Sequence, residues 1–276
     1  MKQQKDSNKY KLAAIDMDGT LLMSDKSVHP DSVRDIREVT ARGVQVVYCS
    51  GRSVPEIMPY RSIFPMIDFA ICMSGAVLYD LKAKRSLFCR PISEAAAARI
   101  AETAEKYGGM LHLLLEEESI VSASDITHMA DFYMEAYQPT YQKVMKTVPS
   151  AVEEACRHEK KAKMNIYFRS PGDRQKAYEE LRDLPLTFVF AEKTSLEMNA
   201  AGVTKAEGLR ALCDYLGIAP GETIGIGDAE NDRAFLEISG LSVAMGNSEP
   251  GIMSLCDAVT DDNNNNGVGK ALIKYC

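Results

Sequence analysis

Hydrophobic positions follow two regimes along the chain. Near both ends, continuous apolar runs of strand length alternate with helical stripes. Leu12–Ile15, Val44–Cys49, Phe69–Met73, Thr223–Ile226 and Leu241–Met245 are such runs. A run without polar alternation predicts a strand buried on both faces of a parallel sheet. Pro30 opens a predicted helix with Val33, Ile36 and Val39 on its inner stripe, closed by Gly43. Strand, helix and strand then make a right-handed βαβ unit, followed by a shorter crossover at Val54–Met58. Lys205–Leu216 predicts a further helix ending at Gly217, and another begins near Asp232. Leu21–Val28 reads as a polar hairpin or flap after the first strand.

From about Ala83 the regime changes. Leu87–Cys89, Met110–Leu115, Ser119–Ala123, Met164–Phe168 and Leu186–Ala191 are predicted strands, the second and third forming a hairpin across Glu116–Glu118. Helices are predicted at Glu94–Tyr107, with Ser93 as N-cap and Gly108-Gly109 as the stop, around Thr127–Tyr137, and at Ala151–His158 and Asp173–Leu184. Strands joined by hairpins and helices predict an antiparallel sheet covered by helices. The fold class is therefore α/β: a Rossmann-like doubly wound parallel-sheet core at 1–82 and 190–276, with an α+β insert at 83–189. Hinges are expected near 82–84 and 189–192. Asn263–Asn266 reads as a solvated polar turn before a C-terminal helix.

Composition narrows the field. The chain has 276 residues, 46% hydrophobic and 26% charged, an ordinary globular balance. A net charge of −7 supplies no basic field for nucleic acid or an anionic membrane. No apolar run approaches the ~20 residues of a membrane span. Met1–Tyr10 is polar and lysine-rich, which predicts a frayed tail and no secretory signal. The 7 cysteines include no Cys-x-x-Cys pair and the 4 histidines have no metal-ligand spacing, so a reducing cytosol is the expected compartment. Chemistry must then rest on carboxylates.

Two acid-bearing turns stand out. The first strand runs into Asp16-Met-Asp18-Gly19-Thr20, and a later one into Gly227-Asp228-Ala-Glu-Asn231-Asp232. Asp-x-Asp alone suits a surface loop or a calcium loop, and Asp228 or Asp232 alone suits a helix N-cap. Gly225-Ile-Gly227 lacks the third glycine of a dinucleotide fingerprint. Acids in excess of capping needs, placed after strands, point to a metal. Oxygen ligands without His or Cys select a hard cation, and Mg²⁺ suits a phosphate site. Two further strands end in Ser50-Gly51-Arg52 and Ser74-Gly75. Ligands gather at the carboxyl ends of such strands, so Asp16, Asp18, Ser50, Gly51 and Ser74 are expected in one crevice. Ser50 and the Gly51 amide can donate to a phosphoryl group, and Lys205 can reach in with a compact charge. Arg52 is a candidate contact for a second anionic group.

In order and spacing these elements, with Glu197–Lys205 and Val243-Ala-Met245-Gly246-Asn247, resemble the haloacid dehalogenase-like phosphohydrolases of the Cof type with a type IIB cap. Three positions depart from that pattern: Ser74 replaces the usual Asn, Ser248 a usual Ala, and Phe235 a common Met. The resemblance implies a Mg²⁺-dependent phosphatase for small phosphorylated metabolites, with residues 83–189 as a specificity lid. Asp16 would be the nucleophile and Asp18 the general acid and base. The Asp16 carboxylate, the Asp18 backbone carbonyl and Asp228 would hold the metal. Ser50, Gly51, Lys205 and Asn231 would hold the phosphoryl oxygens, and Asp232 would orient Lys205 or a metal-bound water. Two acids so close disfavour double ionisation, which predicts a protonated Asp18. A phosphomutase or phosphotransferase, or a sugar-phosphate sensor with a weak site, are the alternatives.

Overall fold

Leu12–Ile15 forms β1, buried along its whole length, in the computed structural model, which describes residues 9–276. The chain continues through β2 (Gln45–Cys49), β3 (Phe69–Cys72), β4 (Val77–Asp80), β5 (Arg85–Cys89), β6 (Met110–Leu115) and β7 (Ser119–Ser122). It goes on through β8 (Lys146–Val148), β9 (Lys161–Tyr167), β10 (Leu186–Val189), β11 (Ser195–Ala200), β12 (Thr223–Gly227), β13 (Leu241–Ala244) and β14 (Ala258–Val259). Two compact units result. One comprises the described residues through Ser50 with Tyr60–Lys84 and Thr204–Cys276; the other comprises Gly51–Pro59 and Arg85–Val203. Among the described residues no helix is long and apolar enough to cross a membrane.

In the first unit the strands lie in the order β14-β13-β12-β1-β2-β3-β4. Every neighbouring pair is parallel except β3 with β4. Only Met73–Ala76 join those two strands, too few residues for the crossover a parallel pair requires. From β1 the chain fills the sheet on one side with β2 and β3, and later on the other with β12 and β13. That reversal creates a crevice at the carboxyl ends of the strands. Register fixes what meets there: Ile15 lies opposite Ile226 on one side and Tyr48 on the other. The residues that follow these strands are therefore neighbours, although nearly the whole chain separates them.

Helix Pro30–Ala41 packs Ile36 and Val39 inward as expected, but Val33 is only half-buried and the face is completed by Ser32 and Asp35. These polar residues are buried because Asn266 serves both. Its Oδ1 accepts from Ser32 Oγ at 2.6 Å and its Nδ2 donates to Asp35 Oδ2 at 2.8 Å. The expectation of a solvated turn at Asn263–Asn266 is thus wrong, since Asn263 and Asn266 are 8% and 6% exposed. The frayed tail was also drawn too long. Residues up to 8 lie outside the described residues, but Tyr10 is buried and the Lys11 amide bonds to the Glu222 carbonyl.

The second unit's sheet runs β10-β11-β9-β6-β7-β8, antiparallel except for β7 with β8. Alternation along the strands divides its faces. Leu111, Leu113, Met164, Ile166, Leu196 and Met198 pack beneath helices Glu94–Lys106, Ala151–Arg157 and Pro171–Leu181. The opposite face carries His112, Asn165 and Glu197 in register across three strands, with Lys163 beside them. This unit reaches Val203, beyond the expected boundary at 189, because β11 pairs with both β10 and β9. The expected hinge at 189–192 is instead the turn of the β10–β11 hairpin. β9 begins at Lys161, earlier than expected, since two lysines are buried in it. Lys161 Nζ donates to Glu94 Oε2 at 2.6 Å and Lys163 Nζ to Glu197 Oε2 at 2.5 Å. The predicted helix at Thr127–Tyr137 is two short 3-10 turns, Met129–Phe132 and Glu135–Tyr137, separated by a left-handed Tyr133. Helix Gln138–Val144 and strand β8 follow them.

Candidate active site

β1 delivers Asp16 into the crevice, where its amide still donates to the Ile226 carbonyl at 3.0 Å. The chain then turns sharply. Leu22 N–H returns to the Met17 carbonyl at 2.8 Å and Leu21 N–H to the Asp16 carbonyl at 3.3 Å. Gly19 has φ +83°, and a Cβ there would lie 2.3 Å from Asp228 Oδ2. Glycine is required at this point by conformation and by contact. Thr20 Oγ1 donates to Asp228 Oδ1 at 2.6 Å. The two acidic turns are locked together directly. Gly227 plays the matching part on β12, where a Cβ would meet Asp232 Cγ at 2.7 Å.

Lys205 joins them from the first turn of helix Lys205–Leu216. A cation at a helix N-terminus opposes the macrodipole, so carboxylates must hold it there. Its Nζ donates to Asp16 Oδ1 and to Asp232 Oδ1, each at 2.5 Å, and the side chain is 1% exposed. Asp232 Oδ2 accepts from the Asp228 and Ala229 amides at 2.9 and 3.1 Å. Both oxygens of Asp232 are therefore occupied in holding Lys205 and the second acidic turn. Lys205 Nζ also lies 5.8 Å from the centroid of the Phe235 ring. The departure from Met at this position thus places an aromatic face near the buried ammonium.

The cluster carries too much negative charge for its single ammonium. Oxygens of Asp16, Asp228 and Asp232 all lie within 4.8 Å of one another. Burial raises the Asp16 carboxyl well above the ordinary carboxylate range, with Asp232 and Asp228 adding to the rise and Lys205 opposing it. Burial, then the Asp232 charge, raises Asp228 to about 6 against the Thr20 hydrogen bond. For Lys205 burial pulls the other way, but Asp16 and Asp232 outweigh it and hold the ammonium above its ordinary value. Crowded, half-dehydrated carboxylates of this kind fit a hard divalent cation. Asp16 and Asp228 each keep one oxygen beyond the bonds to Lys205 and Thr20, so the donors fit Mg²⁺.

The remaining predicted residues differ in their surroundings. Asp18 is 38% exposed in its side chain and pairs with Lys26 Nζ at 2.8 Å. This ion pair is a contact that the spacing of the two acids does not predict. No sequence pattern marks Lys26, which sits at φ 67° in the flap. Ser50 and Ser74 are neighbours: Ser50 N–H bonds to the Ile71 carbonyl at 2.8 Å and Ser74 N–H to the Ser50 carbonyl at 3.0 Å. Ser74 adopts φ 59° between Met73 at 51° and Gly75 at 101°, a left-handed position where the usual Asn is at less cost than Ser. Gly51 and Arg52 are half-buried and belong to the second unit. Asn231 is exposed in the turn that ends at Asp232. Asn247 was not predicted as a site residue, yet its Nδ2 donates to the Gly19 carbonyl at 2.8 Å.

Known proteins resemble this chain over nearly its whole length. The 5-amino-6-(5-phospho-D-ribitylamino)uracil phosphatase of Bacillus subtilis is 27% identical over 276 residues, covering 99% of this chain and 98% of its own. The pyridoxal phosphate phosphatase of Escherichia coli is 23% identical, covering 96% and 98%. A solved haloacid dehalogenase-like hydrolase from Bacteroides thetaiotaomicron has the same fold, with a TM-score of 0.85 at 22% identity over 97% of this chain and 100% of its own. The profile of the haloacid dehalogenase-like hydrolases spans residues 13–272, from β1 into the last helix. The chain belongs to the haloacid dehalogenase-like hydrolases.

Proposed function

We propose that this chain is a Mg²⁺-dependent phosphatase that hydrolyses small phosphomonoesters, such as sugar phosphates or phosphorylated cofactors, through a phosphoryl group carried on Asp16. One observation carries the reading. A buried carboxylate at the end of the central strand is held by Lys205 and lies within 4.8 Å of two further carboxylates. The carboxylates of Asp16 and Asp228 and the backbone carbonyl of Asp18 would hold the cation. When bound, Mg²⁺ supplies positive charge that lets phosphoryl oxygens approach an anionic nucleophile.

The protein's own groups do the rest. Asp16 attacks phosphorus, and a P–O bond to the carboxylate forms as the bond to the alcohol oxygen breaks. Asp18 delivers a proton to the departing oxygen. Its pair with Lys26 must open before that step. In the second half, water attacks phosphorus and gives its proton to Asp18, Asp16 leaves as a carboxylate, and orthophosphate is released. Lys205 remains an ammonium throughout, a fixed charge that Asp232 aims at Asp16 and the incoming phosphoryl oxygens. Ser50, Gly51 and Asn231 donate to those oxygens, where preorganised donors contribute most to rate.

Substrate choice is assigned to the second unit, acting as the specificity lid, with Arg52 as a contact for a second anionic group. Its sheet carries the polar row at His112, Lys163, Asn165 and Glu197. His112 Nε2 and Asn165 Oδ1 are buried there without hydrogen-bond partners. Burial, and then the Lys163 charge, depress the His112 imidazole to about 3, so it is a neutral donor or acceptor. Named phosphatases among the relatives support a small phosphorylated metabolite as the substrate class. The test is orthophosphate release from p-nitrophenyl phosphate and a panel of phosphorylated metabolites, with Mg²⁺ and with chelator. Activity should require the metal and vanish in Asp16→Asn. Turnover near the wild-type rate in that variant would refute the assignment.

A further inference from the structure

The polyasparagine tract near the C-terminus touches the same turn that carries the acids. Asn263 Nδ2 donates to the Leu22 carbonyl at 2.8 Å, and the Asn263 amide donates to Asn247 Oδ1 at 3.0 Å. Asn247 Nδ2 in turn reaches the Gly19 carbonyl at 2.8 Å. One chain of amides therefore holds the Gly19 and Leu22 carbonyls, which bracket Thr20-Leu21 just after Asp18. The segment has little regular structure of its own here. Beyond its turn hydrogen bonds it makes isolated bridges between Asp18 and Leu22 and between Leu22 and Val28. Leu22 is fully buried, and a buried carbonyl left without a donor is destabilising. Asn264 adds an outer tie, accepting from the Ser24 amide at 3.1 Å and donating to Ser24 Oγ at 3.0 Å.

We propose that Asn263 is a positioning residue for catalysis: acting with Asn247, it sets where the turn after β1 places Asp18 relative to Asp16. The role of Asp18 rests on the phosphatase reading; the placement of the turn does not. The tract also contains its own control. Asn266 is of the same residue type and is similarly buried, but its side chain binds Ser32 and Asp35 on helix Pro30–Ala41 and makes no bond to the turn. A general structural role would make the two residues equivalent. A positioning role separates them.

The experiment compares Asn263→Ala, Asn263→Asp and Asn266→Ala in the full chain with Mg²⁺. The aspartate variant keeps the shape and the backbone bond to Asn247 but cannot donate to Leu22. An alkyl phosphate needs a proton on its leaving oxygen, whereas p-nitrophenolate leaves well without one. A displaced Asp18 should lower kcat/KM for the alkyl ester by about 10–100-fold. The loss on p-nitrophenyl phosphate should be several-fold smaller. Asn266→Ala should lose thermal stability but keep kcat/KM on both esters. Equal losses on the two esters, or losses that follow Tm across all three variants, overturn the proposal. Amide hydrogen exchange at residues 17–23 supplies a reading independent of turnover. Exchange should quicken in the Asn263 variants and not in Asn266→Ala, and unchanged exchange in Asn263→Ala overturns the proposal. Should the wild type cleave neither ester, the phosphatase reading fails, and exchange still decides the placement of the turn.

Discussion

Replacing Asp228 by Asn removes one negative charge from the acidic cluster while leaving its shape and its hydrogen bond from Thr20 intact. The Asp228 carboxyl is raised from 3.8 to about 6 by burial and by Asp232. A carboxyl whose pKa is raised on folding binds its proton more tightly in the native state than in the unfolded chain. Native stability then falls as pH rises between the two values. The penalty is absent below about 3.8 and fully present above about 6. A rise of this size corresponds to roughly 3 kcal/mol, and structural relaxation and screening reduce it to about 1–3 kcal/mol. Metal-free Asp228→Asn should therefore be more stable than the wild type at pH 7.5, with a Tm higher by about 2–10 °C. The difference should shrink towards zero near pH 4. Added Mg²⁺ should reverse the order at pH 7.5, because the wild type gains the binding energy and the variant loses a ligand. The variant should have no phosphatase activity. Thermal unfolding in chelator and in Mg²⁺ at the two pH values provides the measurement. A variant less stable than the wild type in chelator at pH 7.5 would show that this carboxylate is not under electrostatic load, and the case for a cation site would lose its physical basis.

Lys205→Met should abolish turnover and cost about 3–5 kcal/mol at pH 7.5, because Asp16 and Asp232 are left buried without their ammonium. The loss should lessen towards pH 5 as the Asp16 carboxyl, raised by its burial, protonates, and denaturant unfolding at the two pH values would reveal a flat profile if the triad were unimportant. Gly19→Ala drives a Cβ to within 2.3 Å of Asp228 Oδ2 at a positive φ. It should lower both Mg²⁺ affinity and kcat/KM by at least ~10²-fold, the scale of a misplaced reacting group; unaltered Mg²⁺ titration would count against the packing of the two turns. Removing the metal with chelator should stop turnover reversibly, and restoration by Mg²⁺ but not by Ca²⁺ would fit a site of octahedral demand.

What the sequence could express was local. Continuous apolar runs ending in glycine and acids marked β1, β2, β3, β12 and β13, because a strand buried on both faces has no polar partner to conceal it. The acids themselves stand out for the same reason: Asp16 and Asp228 are ionisable groups placed where an ordinary strand would turn. In the second unit the same criterion misled. Lys161, Lys163 and Glu197 lie within strands, and each pays for its burial through an ion pair with a distant residue that no local window contains. The strand at Ser195–Ala200 is therefore missing from the sequence reading, and the expected boundary at 189 falls short of Val203.

The same blindness to distant partners explains the errors close to the chemistry. A run of four asparagines at 263–266 has the composition of a solvated loop, and only the fold shows it bonded to residues near position 20. Lys26 is a common residue in a polar flap until the flap folds back and places its ammonium 2.8 Å from Asp18. That contact bears directly on the chemistry. The spacing of Asp16 and Asp18 sets two acids side by side, and the fold gives each its own ammonium, Lys205 for Asp16 and Lys26 for Asp18. Under the proposed mechanism Asp18 serves the leaving oxygen only once its pair with Lys26 opens, which would couple that step to the segment carrying Lys26.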